Sequence, residues 1–153
     1  VGSESANLVI IGEAPGRDED LTGEPFVGRS GQLLTRMLAA IGLRRDEVYI
    51  CNVLKCRPPQ NRDPAPDEIA TCSPFMIRQV HALEPRVVMT VGRFASQTIL
   101  QSDLSMGRLR GQTHTWEGYP VVPSYHPAYL LRNPSAKRQA WEDMLRVRAL
   151  IRA

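Results

Sequence analysis

The residues best suited to chemistry are an acid, an amide and an imidazole, each standing at or just behind a short apolar run. Glu13 lies in Gly12–Gly16 (GEAPG). Two glycines and a proline make a turn whose backbone can approach a ligand closely and present its N–H groups. A carboxylate held there can position or activate a water. Asn52 carries one donor pair and one acceptor, the complement of a base edge with a carbonyl beside an N–H. An amide built for such bonds rejects a wrong partner by up to about 10⁴-fold, because the mismatch leaves buried polar groups unpaired. His126, between Tyr125 and Pro127, can donate a hydrogen bond to a developing oxyanion. Phe26, in Pro25–Gly28 (PFVG), offers a flat face to a planar ring. Each has a plainer use when taken singly. Glu13 fits a loop-capping or solvent-facing acid, Asn52 a side chain tying down a loop, His126 a packed loop histidine, and Phe26 a core residue.

Four segments read as the strands that would position these groups: Leu8–Gly12, Val48–Val53, Arg86–Gly92 and Pro120–Tyr125. Each is short, apolar and β-branched, as in strands covered on both faces. Leu33, Leu34, Met37, Leu38 and Ile41 share one helical face, and Gly42 is placed to end that helix. Ile69, Met76, Val80 and Leu83 mark a second helix, with Pro74 expected to kink it or delay its start. A short helix follows Gly92, and Trp141, Met144, Leu145 and Ile151 mark a last one. Strands alternating with helices imply an α/β fold with a mainly parallel sheet. Ligands bind outside the carboxyl ends of such strands, which would gather Glu13, Asn52 and His126 on one rim. The proline-rich Arg57–Pro66 (RPPQNRDPAP) reads as an excursion within a single domain spanning 1–153, since neither flank has a core of its own.

Composition narrows the classes. The 153 residues carry a formal net charge of +3 and a pI of about 9.0, compatible with a polyanionic partner but common among soluble proteins. No apolar run approaches the roughly 18 residues of a membrane span, and the start has neither a basic head nor an apolar signal region. Three cysteines, an odd number, argue against a disulfide framework. A reducing, cytoplasmic compartment is expected.

Gly12–Gly16 (GEAPG), Gly23–Gly28 (GEPFVG), Asn52–Pro58 (NVLKCRP) and His126–Pro134 (HPAYLLRNP), in this order, closely resemble the motifs of the uracil-DNA glycosylase superfamily, most of all its iron–sulfur branch, family four. The resemblance runs from about Leu8 to Leu150. It implies a three-layer α/β sandwich, with a central four-stranded, mainly parallel sheet between helices. It also implies a monomeric enzyme, located with the DNA, that removes uracil from single- or double-stranded DNA and leaves an abasic site. By the same resemblance, Glu13 orients the attacking water and stabilises the cationic sugar, and the backbone at Ala14 contacts the base. Glu19 lies against C5 of uracil and excludes the thymine methyl. Phe26 stacks on the base, Asn52 reads its edge, and His126 hydrogen-bonds O2 of the departing anion. Leu130, Leu131 and Arg132 belong to a loop that in the family enters the duplex; an apolar wedge supporting an unstacked step, with Arg132 on a phosphate, is physically sensible there. The plainer alternative is that Leu130 or Leu131 begins the packing of the last helix.

The family holds a [4Fe–4S] cluster on four cysteines. Cys56 and Cys72 reproduce the spacing of one pair, while the expected upstream pair has no counterpart here; Cys51 adjoins Asn52 and reads as a small core residue. The start Val1-Gly2-Ser3 resembles the family just after that pair, so a missing N-terminal segment and a cluster in the intact protein are expected. Three other readings remain open. One is a superfamily branch that traps uracil-containing DNA covalently through a histidine, for which Gly107–His114 (GRLRGQTH) supplies Arg108, Arg110 and His114 but no extra basic insertion. Another is a relative acting on a different deaminated base. The third is an unrelated small-molecule α/β enzyme, which would lack salt-dependent DNA binding.

Overall fold

The structure, a computed structural model, describes residues 6–13, 28–53 and 66–153, the side chains of 66–73 and 75 excepted. The elements, in chain order, are β1 (Leu8–Gly12), α1 (Arg29–Ala40), β2 (Tyr49–Asn52), α2 (Pro66–Leu83), β3 (Val87–Val91), α3 (Arg93–Leu100), α4 (Met106–Leu109), β4 (His114–Trp116), β5 (Tyr119–Ser124), α5 (Pro127–Arg132) and α6 (Lys137–Arg152). The strands form one sheet in the order β2-β1-β3-β5-β4. The first four are parallel, and β4 joins β5 antiparallel.

Alternation along the strands explains the three layers. Leu8, Ile10, Ile50, Val87, Met89 and Val122 face one side and pack against Leu34 and Leu38 of α1 and Met144 and Val147 of α6. Val9, Ile11, Cys51, Val88 and Val121 face the other and pack against Met76 and Val80 of α2 and Ala95 and Ile99 of α3. With both faces covered, a strand has no polar side to show, which is why the sequence runs are apolar throughout.

The four expected strands are present, and a fifth was not foreseen. Strand β4 exists because Glu117 and Gly118 form a two-residue hairpin turn, both with positive φ (52° and 84°). Such a turn matches the right-handed twist of the strands it joins. Glu-Gly is a weaker written signal than Asn-Gly or Asp-Gly, and the three residues of β4 are too few to show a pattern. Helix α2 runs through Pro74, which is exposed and does not delay its start. Helix α1 ends as the spacing predicts, with Gly42 N–H donating to the Ala39 carbonyl and Leu43 N–H to that of Leu38. In α6 the buried stripe is Ala140, Asp143, Met144 and Val147, whereas Trp141 is exposed. Among the described residues, no helix is long and apolar enough to cross a membrane.

Candidate functional site

Strand register decides what meets at the rim. Gly12 pairs with Asn52, Ile11 with Thr90, and Val91 with Ser124. The carboxyl ends of β1, β2, β3 and β5 are therefore level. Glu13 stands one residue beyond β1, Asn52 is the last residue of β2, and His126 lies two residues beyond β5. The structure brings all three to one rim of the sheet, Asn52 one strand away from Glu13 and His126 two strands away on the other side. Neighbouring strands lie about 4.8 Å apart, so the rim from β2 to β5 is about 14 Å wide. All three side chains are partly buried. The next turn beyond β2 is tied to β1 by Val53 N–H, which donates to the Gly12 carbonyl at 2.8 Å.

The imidazole of His126 is the most fully determined group. It caps α5, and its Nδ1 accepts the Ala128 N–H at 2.9 Å. Burial, with the Arg132 guanidinium adding to it, pushes the His126 pKa down to about 4. At neutral pH the ring is therefore uncharged. An uncharged ring whose Nδ1 accepts must carry its proton on Nε2. His126 is thus held as a neutral Nε2–H donor.

Two features that sequence reading did not single out fix where that donor sits. The first is Gly92, between β3 and α3, with φ +95° and ψ 163°. Its N–H donates to the Ser124 carbonyl at 2.9 Å, and a Cβ at this position would lie 3.3 Å from His126 Cβ and 3.6 Å from His126 Cδ2. The imidazole rests on the bare face of this glycine. Gly92→Ala is expected to cost about 1–3 kcal/mol of stability, since that backbone region is essentially confined to glycine. It should also lower kcat by about tenfold or more through displacement of the ring. Thermal melts and steady-state kinetics check both, and unchanged values for the two would refute the contact. The written signal was a glycine between a strand and a helix, which marks a turn but not what rests on it.

The second feature lies beneath β5. Ser124 Oγ donates to Asp143 Oδ2 at 2.7 Å, and both residues are fully buried. Arg110 binds the same carboxylate through Nε at 3.3 Å and through a second nitrogen at 3.0 Å, and an Arg146 nitrogen lies 3.5 Å from it. A buried carboxylate is tolerable only when paired and hydrogen-bonded in this way. The network ties α6 and the segment after α4 to the end of β5, two residues before His126. It also engages Arg110, one of the basic residues that the covalent-trapping reading would need. His114 of that segment lies in β4, its Nε2 at 2.8 Å from the Leu109 carbonyl oxygen and its Cα opposite Val121, three residues short of the end of β5.

Helix α5 divides its side chains between core and solvent. Leu130 is only 1% exposed and packs with Leu33, Ala136 and Ala140. That burial is what the plainer alternative expects of a residue that begins the packing of the last helix. Leu131 is partly buried against the same cluster, and Arg132 is exposed. Tyr129, which sequence reading passed over, is 38% exposed and stacks on Tyr125, with ring centroids 4.8 Å apart and planes 18° from parallel.

Ala14, Glu19, Phe26 and Cys56 lie outside the described residues, as does most of Arg57–Pro66; Cys72 falls within α2, in its stretch without described side chains. Cys51 is buried in the sheet against α2. With Cys51 committed to packing, the sequence supplies two cysteines where a cysteine-ligated [4Fe–4S] cluster takes four. The residues present do not complete that donor set.

The model of the uracil DNA glycosylase superfamily matches residues 1–145. A type-4 uracil-DNA glycosylase of Archaeoglobus fulgidus is 48% identical over 155 residues, covering 96% of this chain and 78% of that protein. One from Thermotoga maritima is 43% identical over 155 residues, covering 99% and 81%. A type-5 uracil-DNA glycosylase of Pyrobaculum aerophilum is 31% identical over 146 residues, covering 84% and 64%.

Proposed function

Because this chain belongs to the uracil DNA glycosylase superfamily, we propose that it extrudes uracil from DNA and hydrolyses the bond joining the base to its sugar, leaving an abasic site. The observation that carries the reading is His126, held neutral with its proton on Nε2 at the same rim as a carboxylate and a carboxamide.

The chemistry follows from charge. The glycosidic carbon is out of reach in a stacked duplex, so the nucleotide is first extruded, at a cost of a few kcal/mol. Breaking the bond places positive charge on the sugar and negative charge on the base. The Glu13 carboxylate stabilises the first and orients the attacking water. The Nε2–H of His126 donates to O2 of uracil as its charge grows. A donor already aimed at the developing oxyanion pays no reorganisation cost during the reaction. A neutral donor suits the task, because it need not lose a proton and leaves the base to depart as an anion. Asn52 pairs with the carbonyl and imide edge and so sets the base accepted. Ala14 and Phe26 contact the base and Glu19 excludes the thymine methyl, by resemblance to the family. Hydrolysis passes no electrons between redox centres, so water and these side chains account for each step.

Incubation with single- and double-stranded oligonucleotides containing one uracil, followed by alkaline cleavage at abasic sites, tests the reading. Strand scission at the uracil is expected. Asn52→Ala should lower kcat/KM for uracil by about 10- to 100-fold, the worth of hydrogen bonds lost in a buried site, and should narrow the preference for uracil over other bases. Intact strands with the wild-type chain would overturn the assignment.

A further inference from the structure

Helix α5 begins at His126 and presents a second group of residues that the reaction itself does not use. Tyr129 and Arg132 are three apart in α5 and lie on the same side of it, and Tyr129 stands three residues after the N-cap His126. Tyr129 is one of three exposed large hydrophobic residues among the described residues, with Leu104 and Trp141, and the one belonging to α5. Its ring is not loose. One face is covered by Tyr125, 4.8 Å away and 18° from parallel. The backbone behind it is held by Asn133, whose N–H and Nδ2–H both donate to the Tyr129 carbonyl, at 2.8 and 3.2 Å. Tyr125 in turn packs on the Leu33, Leu130, Ala136 and Ala140 cluster. The stack is therefore anchored in the core at the Tyr125 end, and Tyr129 at its other end is 38% exposed. Arg132 is exposed and lies close enough to His126 to depress its pKa.

We propose that Tyr129, backed by Tyr125, is a stacking platform for the base adjoining the extruded uracil, with Arg132 meeting the phosphate between the two nucleotides. The proposal rests on the glycosylase reading and names a contact of the same site. Extrusion leaves the neighbouring base with one uncovered face. A pre-stacked aromatic three residues after His126 offers its ring to cover that face, making the base the third ring of the stack, and a π-face accepts any of the four bases. A guanidinium at the next turn suits the phosphate that must pass there. Because Leu130 is core, α5 meets the nucleic acid with an aromatic face and a cation.

Binding is measured by fluorescence anisotropy with a single-stranded oligonucleotide carrying 2′-fluoro-2′-deoxyuridine, whose fluorine resists glycosidic cleavage. In parallel strands the base on the 5′ or the 3′ side is replaced by an abasic spacer. For the wild-type chain, the spacer at one flank should weaken binding by roughly tenfold, and Tyr129→Leu should weaken binding to the intact strand by a similar factor. The two losses should not multiply, since each removes the same stack. Tyr129→Phe should bind within about twofold of wild type, which separates stacking from general damage to α5. Losses that multiply at both flanks, or wild-type affinity in Tyr129→Leu, would overturn the platform. Uracil release from the unfluorinated strand is scored alongside. Its absence with the wild-type chain sinks the glycosylase reading, whereas multiplying losses with release intact sink the platform alone.

Discussion

Replacing Glu13 with glutamine is expected to lower kcat on uracil-containing DNA by roughly 10²- to 10⁴-fold while leaving DNA affinity nearly unchanged. The substitution keeps shape and hydrogen-bonding capacity at the turn beyond β1 and removes the charge. Charge is what the transition state needs, because the sugar becomes cationic as the base departs and the incoming water must be polarised. DNA binding, by contrast, draws on phosphate contacts and base stacking, to which an acid at the rim contributes little. Single-turnover rates separate the two effects from product release, and a thermal melt checks that the turn is intact. A Glu13→Gln chain reacting within tenfold of wild type would show that the water is held elsewhere.

The second large effect concerns His126. His126→Ala removes a preoriented donor at the oxyanion, a loss of about 10²–10³ in kcat. A sharper expectation concerns pH. The imidazole is pushed down to about 4, so the wild-type profile should show no inflection near 6.5, the ordinary histidine value. The ¹⁵N shifts of the ring should report one neutral tautomer, protonated on Nε2, from neutral pH down to about pH 5. A ring titrating near 6.5 would contradict the assignment.

The same shift makes a statement about stability. In the unfolded chain His126 takes up its proton near 6.5 and in the folded chain only near 4, so between these values the unfolded state binds more protons. The contribution is fully present above pH 6.5 and is lost as pH falls through about 4. The gap corresponds to about 3 kcal/mol. Urea titrations from pH 7 to pH 4 should show a decline in stability, and His126→Ala should flatten it.

How much of this was legible in the sequence depends on the range over which each feature is decided. The four apolar, β-branched segments are the parallel strands of the sheet, because burial on both faces leaves a mark on the segment itself. Helix α1 and its end at Gly42 are local in the same sense, fixed by helical spacing and a terminal glycine. Glu13, Asn52 and His126 were legible as strand-end residues, and strand ends are where an open α/β sheet places its ligands.

Tertiary structure decided the rest. Which α5 residue is core and which meets solvent depends on α1 and α6 packing against it, and nothing within HPAYLLRNP states that Leu130 is enclosed while Tyr129 is not. The tautomer of His126 depends on its place at a helix N-terminus and on burial. Its location depends on Gly92, thirty-four positions earlier. The Ser124–Asp143–Arg110 network joins residues nineteen and thirty-three positions apart. The sequence by itself determined the fold class, the family and the residue types at the rim, because those are written in local patterns and motifs. Only the folded chain decided which nitrogen donates, which side chains are spent on packing and which aromatic stays open, because each is a contact between segments that are remote along the chain.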